Sequence, residues 1–347
     1  MSIVVKRGNT GRPQHYTTDT DAVDGLVTKL QDLDASSILA GAVPDDITPL
    51  GPGPFVIESG GWNNVKNIFF DGHLGNGTLT LKDYVHVDVD ITDGGGNSTV
   101  NILNSKRGNI ALGDGNDTLN ISLVTNDSGW SNTFLINAGD GNDEVLIQAG
   151  EAQTGPEDAT QATITDGSFT TVRADLGDGN DSYENLTKSR DIVEGGDGND
   201  EILTGDGDDE VRGGDGNDEI DAGGGNDEIS GGDGNDDLVG GEGNDEIHGG
   251  DGNDDFFAGE GNDTLRGDDG NDTFFFGGSD GSNTIRDFEI GDDLIDLQAI
   301  GGVMFGDLTI APGPVLGTLI TIAGFSTEIL LENIDDPATI DAGDFIF

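Results

Sequence analysis

The sequence predicts an all-β protein, a parallel β-roll or β-helix of short stacked coils with capping segments at both ends. Three observations lead there. Residues 195–275 read as nine consecutive nonapeptides without an insertion. Glycine accounts for 60 of the 347 residues and supplies backbone angles closed to other side chains. Each repeat also ends in three residues with one apolar side chain between polar neighbours, the pattern of a very short strand.

In chain order, residues 1–54 form the first capping or docking segment. Val23, Leu26, Val27, Leu30 and Leu33 share one face at helical spacing, and a Pro/Gly-rich stretch follows at 44–55. This predicts a short helix closing the open end of the stack. The alternative is a docking arm in which Lys6, Arg7 and Arg12 meet acidic surface on a neighbour.

Residues 55–194 alternate polar and apolar residues in runs such as YVHVDVDI (84–91), TLNISLV (118–124) and TFLIN (133–137). They read as irregular parallel β-helix coils. Single turns resembling the downstream repeat recur at 112–120, 138–146 and 176–184, with Asp117, Asp143 and Asp181 separated by 26 and 38 residues. A degenerate copy at 94–101 carries Ser98 in place of the aspartate.

Residues 195–282 are the regular roll. Position six is aspartate in every repeat: Asp200, Asp209, Asp218, Asp227, Asp236, Asp245, Asp254, Asp263 and Asp272. Position eight is always apolar, from Ile202, Val211 and Ile220 through Leu238 to Phe256, Leu265 and Phe274. Position three varies among Asp, Gly and Glu, so its side chain has no fixed task. Two repeats make one coil, which places aspartates 18 residues apart above one another. One column holds Asp200, Asp218, Asp236, Asp254 and Asp272; the other holds Asp209, Asp227, Asp245 and Asp263. Stacked carboxylates repel unless a cation lies between them. Calcium fits, because it takes 6–8 oxygens in flexible geometry; magnesium demands a tighter octahedron and zinc favours His and Cys. Four gaps in one column and three in the other give seven calcium sites.

These residues resemble the RTX (repeats-in-toxin) family of calcium-binding proteins. The resemblance implies a ligand set for each ion: Asp and the carbonyls of positions two and four from one turn, and Asp and the carbonyls of positions one and three from the turn 18 residues on. Carried over, position two supplies Gly196, Gly205, Gly214, Gly223, Gly232, Gly241 and Gly250. Position four supplies Gly198, Gly207, Gly216, Gly225, Gly234, Gly243 and Gly252. Positions one and three supply the main chains of Gly213, Gly231, Gly249, Asp215, Asp233 and Asp251. Asp117, Asp143 and Asp181 are further candidate calcium ligands, although none has a neighbour 18 residues away.

Residues 283–347 are the closing segment. The stretch 277–297 is similar to the one that ends the rolls of serralysin-type secreted proteases. The chain finishes Asp344–Phe345–Ile346–Phe347, similar to the uncleaved signal read by type I secretion channels. The first residues hold no apolar core long enough for a secretory signal, so export is expected to run through that C-terminal signal.

Charge narrows the partners. The formal net charge is −55, of which −5 lies in residues 1–110 and −50 beyond. Such a chain repels nucleic acid and anionic membranes and attracts divalent cations. No stretch is apolar enough for membrane insertion, and with no cysteine there is no disulfide or thiolate site. H-E-x-x-H is absent, and the single G-x-S-x-G, at 277–281, has no histidine after it. The sequence therefore predicts a secreted, non-enzymatic calcium-binding protein, structural or adhesive, whose partners are itself or a cell-surface polysaccharide. The alternative is a β-helical uronate lyase or epimerase using His73, Lys82, Tyr84 and His86.

Overall fold

The computed structural model describes residues 3–6, 14–16, 54–58, 67–71, 76–82, 86–91, 96–105, 107–123, 132–149, 170–314 and 316–347. They fall into two compact units, Met1–Ser189 and Arg190–Phe347. The helical face at 23–33, with Arg7, Arg12, His73 and Tyr84, lies outside the described residues.

In the first unit, one parallel sheet runs through Ile3–Lys6, Pro54–Glu58, Thr78–Lys82, Thr99–Ser105, Thr118–Leu123, Glu144–Ala149 and Ser182–Asn185. A second runs through Gln14–Tyr16, Asn67–Asp71, His86–Asp90, Arg107–Ala111, Asn132–Asp140 and Thr170–Asp178. The chain alternates between the two sheets, so every strand pairs with the next but one. Period-two alternation turns Leu79, Leu81, Val100, Ile102, Leu119 and Ile121 inward to meet Val87, Val89, Phe134 and Val172, all buried. The strands at 3–6 and 14–16 carry no alternation long enough to have been read from sequence.

In the second unit the coil shortens to two nonapeptides. Glu201–Leu203, Glu219–Asp221, Asp237–Gly243, Asp255–Gly261, Thr273–Phe275, Leu294–Asp296 and Phe345–Ile346 form one parallel sheet. Arg190–Asp197, Glu210–Asp215, Glu228–Asp233, Glu246–Asp251, Thr264–Asp269, Ser282–Ile285 and Glu328–Leu331 form the other. All nine position-eight side chains are fully buried, which confirms the register the repeat predicts. The interior between the sheets is one apolar side chain deep.

The closing segment ends both sheets. Thr318–Ile322 and Leu308–Pro312 continue the second sheet in antiparallel sense, and the outermost strand finishes at a proline. Proline cannot donate to a ladder, so that edge is a poor template for another strand. The first sheet ends on Phe345–Ile346, with Phe345 buried and tilted against Phe305 at 5.7 Å between ring centroids. Phe257 and Phe275, which the repeat turns outward, stack on each other at 4.4 Å with planes 10° apart, and Phe257 stays 38% exposed.

Candidate metal centre

Each turn is built by its glycines. In most turns positions two and four take φ values that side chains rarely adopt, +122° at Gly214 and +140° at Gly216. Their carbonyls point along the stack: a Cβ on Gly214 would strike the Gly196 carbonyl oxygen, and one on Gly216 that of Gly198. The same relation links Gly205 to Gly223 and Gly223 to Gly241, and Gly207 to Gly225 and Gly225 to Gly243. It holds again from Gly214 to Gly232, Gly232 to Gly250, Gly216 to Gly234, and Gly234 to Gly252. Position three differs, because its carbonyl accepts a hydrogen bond from the position-four N–H of the coil before, as Asp233 accepts from Gly216 at 2.7 Å and Asp251 from Gly234 at 2.7 Å. Its side chain, as at Asp215, Asp233 and Asp251, faces solvent.

Position one corrects the expectation that its glycine serves backbone angles. Gly213, Gly231 and Gly249 do not have positive φ. They are needed for space. A Cβ on Gly213 would clash with Asp218 Oδ2 and lie 2.7 Å from the Gly231 carbonyl oxygen, and one on Gly231 would clash with Asp236 Oδ2 and lie 2.8 Å from the Gly249 carbonyl oxygen. The carboxylate of one coil and the position-one carbonyl of the next therefore converge beside this glycine.

The aspartates form continuous rows. Asp218 N–H donates to Asp236 Oδ1 at 2.8 Å, Asp236 N–H to Asp254 Oδ1 at 2.9 Å, and Asp254 N–H to Asp272 Oδ1 at 3.0 Å. Asp200 N–H opens that row by donating to Asp218 at 2.8 Å. In the second row Asp209 donates to Asp227, Asp227 to Asp245 and Asp245 to Asp263, at 2.8, 3.0 and 3.0 Å. The other carboxylate oxygen, Oδ2, is buried with no hydrogen-bond partner at Asp218, Asp227, Asp236, Asp245, Asp254 and Asp263. Burial pushes the carboxyls up, to about 6 at Asp218 and Asp254 and about 7 at Asp209, Asp227, Asp263 and Asp272, with the backbone donor pulling partly back. A buried anionic oxygen without a donor is costly, and a cation relieves that cost.

Among the described residues no three His, Cys, Asp or Glu side chains converge on one point. Any metal between two coils therefore rests on two aspartates and on carbonyls, an all-oxygen set that suits calcium and lacks the His and Cys ligands that zinc favours. The position-two and position-four carbonyls aimed into each gap, together with position one of the next coil, fit that ion.

Against known families, residues 189–220, 212–247, 230–265 and 248–285 match the RTX calcium-binding nonapeptide repeat, in four copies. These are RTX repeats folded as a β-roll. No curated protein matches the chain. The RTX roll thus carries calcium-binding motifs, and its side-chain rows run along both of its turns.

Upstream, the expectation that Asp117, Asp143 and Asp181 stand alone is corrected. Asp117 N–H donates to Asp143 Oδ1 at 2.7 Å across 26 residues, and Asp143 N–H to Asp181 Oδ1 at 2.6 Å across 38. Ser98 N–H joins the row by donating to Asp117 at 2.6 Å. Stacking is set by strand register, not by sequence separation, and Thr118, Glu144 and Ser182 are in register. Asp143 Oδ2 is buried without a partner, and burial raises its carboxyl to about 7.

Sequence reasoning missed two features. Position five makes an exposed ladder of opposite sense, in which Asn235 N–H donates to Asn217 Oδ1 and Asn253 N–H to Asn235 Oδ1, each at 2.8 Å. The rows are also capped. Asp272 N–H donates to Asp293 Oδ1 at 3.0 Å, and Asp293 Oδ2 accepts from Glu289 N–H at 2.8 Å. Asp263 N–H donates to the neutral amide oxygen of Asn283 at 2.9 Å. Part of the signal was present, since Asn283 precedes the polar–apolar pair Thr284–Ile285, as position six does in the repeats, and Asp293 lies two places before the buried Ile295.

Of the four candidate uronate residues, only Lys82 and His86 fall among the described residues. Lys82 lies on one sheet and His86 on the other, and His86 Nε2 sits 2.7 Å from Asp88 Oδ1. His248, in the roll, is part-exposed between Glu246 and Asp268.

Proposed function

We propose that the chain is a secreted structural or adhesive protein whose roll folds on binding extracellular calcium, with one ion in each gap between stacked aspartates. The row of buried Oδ2 atoms carries this reading, because it concentrates anionic oxygens with no protein donor in a unit whose apolar core is one side chain deep. Residues 195–275 hold 27 acidic and 2 basic residues, a net of −25, so without counter-charge the stack repels itself. Extracellular calcium modules have Kd of order 10⁻⁴–10⁻³ M. At ten times Kd one site contributes about 1.4 kcal/mol, so seven independent sites would supply about 10, comparable with the whole stability of a domain. Export through a type I channel accords with the Asp344–Phe347 terminus. No helix among the described residues is long and apolar enough to cross a membrane.

Far-UV circular dichroism of the full chain, titrated with calcium and then chelated, tests the reading. A strand signal that appears with calcium and collapses on chelation is expected; a signal indifferent to both would sink it. Self-association belongs to the same proposal, supported by the exposed face of Phe257 and by the loss of repulsion once the rows are neutralised. Sedimentation at millimolar calcium should show oligomers that chelation disperses.

A further inference from the structure

The two rows are not built alike, and the difference lies at position one. In the row through Asp200, Asp218, Asp236 and Asp254, the lower coil of every gap carries glycine there: Gly195, Gly213, Gly231 and Gly249. In the other row the gap above Asp209 is headed by Thr204, that above Asp227 by Ala222, and that above Asp245 by Gly240. Position one is where a Cβ intrudes between the Asp Oδ2 and the carbonyl oxygen that converge in each gap. Gly240 shows that the second row shares this geometry, for a Cβ on it would lie 2.6 Å from Asp245 Oδ2 and 2.7 Å from the Ala258 carbonyl oxygen. Ala222 and Thr204 bring a real Cβ to that place. Thr204 does more: fully buried, its hydroxyl lies 3.2 Å from the Ala222 carbonyl oxygen and also hydrogen-bonds the Asp209 carboxyl, so it engages both oxygen groups of that gap.

We propose that the residue at position one ranks the calcium gaps, so that the five gaps headed by glycine fill first and those headed by Thr204 and Ala222 fill only at higher calcium. The count is four gaps in the first row plus the one above Asp245. The inference rests on the calcium reading above and refines it from a set of equal sites to two classes. It extends to the first unit, where the turns of Asp117 and Asp143 carry buried Leu112 and Ala138 at position one. Those gaps belong with the weak class.

The separation between the classes should be roughly 10- to 100-fold in Kd, the range observed when groups around metal ligands are disturbed. Isothermal calorimetry of the full chain with calcium chloride reads it directly. The wild-type chain should show five tight sites. Ala222→Gly should raise that number to six, Thr204→Gly should do the same, and Gly231→Ala should lower it to four. Gly231 does not have positive φ, so the alanine acts through space and not through backbone angle. Should Gly231→Ala fail to fold, the two glycine variants still decide, because each removes atoms. Seven equivalent sites in the wild-type chain, or a tight count unmoved by Ala222→Gly and Thr204→Gly, would overturn the ranking while leaving calcium binding intact. No heat of binding at any calcium concentration would overturn both.

Discussion

The two oxygens of one position-six aspartate have different tasks, and substitutions can separate them. Asp236 Oδ1 accepts the Asp218 N–H at 2.8 Å, while Oδ2 is buried without a partner. Asn283 shows that an amide oxygen can accept the same bond from a coil below, as it does from Asp263. Asp236→Asn should therefore keep the ladder yet lose the charge that two neighbouring gaps share. Its calcium midpoint should rise by roughly tenfold or more. Asp236→Ala should add a further loss of about 1–3 kcal/mol, because the Asp218 N–H is left buried and unsatisfied. Asp233→Ala should be nearly silent, since that side chain is exposed and only its carbonyl is engaged. Calcium titrations followed by circular dichroism rank the three; equal midpoints for Asp236→Asn and Asp233→Ala would refute the division of labour.

At the scale of the turn and its row, protons and calcium compete for the same oxygens. Burial raises the position-six carboxyls from 3.8 to about 6 at Asp218 and Asp254 and about 7 at Asp227, Asp263 and Asp272. A group whose folded pKa is raised favours the fold most when protonated. Its contribution is full below the unfolded value and is lost as pH rises through the folded one. Calcium-free roll should therefore keep strand structure near pH 5 and lose it by pH 7.5, with calcium restoring it at the higher pH. Circular dichroism in chelator at the two pH values checks this, and identical spectra would contradict it. The element was largely legible from sequence. A nine-residue period with an apolar residue two places after each aspartate specified both the rows and the inward face. Three things escaped. The pairing of Asp117, Asp143 and Asp181 was hidden because coil length varies while the turn does not. The space-filling role of Gly213 looked like a conformational one, because glycine serves both needs. The caps at Asp293 and Asn283 sit 21 and 20 residues beyond their partners, out of the period.

At the scale of the whole molecule, the C-terminus has two demands placed on it. As the export signal proposed above it must be accessible to a channel; in the folded chain Phe345–Ile346 is the last strand of a sheet, with Phe345 buried and Phe347 41% exposed. Calcium reconciles them. On the proposed function, sites with Kd of order 10⁻⁴–10⁻³ M would stay empty where free calcium is far lower, and an unfilled roll with this charge would leave the terminus free to be read. Outside, filling the rows supports Leu294–Asp296, the strand on which Phe345–Ile346 pairs. Deleting Asp344–Phe347 should then do two separable things. It should abolish export, and it should weaken the calcium-bound fold, because a buried aromatic and a strand partner are lost. Phe345→Ala isolates the second effect at up to about 3 kcal/mol, the lower end for a buried phenylalanine because this strand is terminal. Phe347→Ala should leave stability within about 0.5 kcal/mol. Thermal unfolding in saturating calcium, alongside secretion assays of the same variants, separates the two demands. A Phe345→Ala chain as stable as wild type would show that the last strand closes nothing, and normal export of the truncated chain would remove the terminus as the signal.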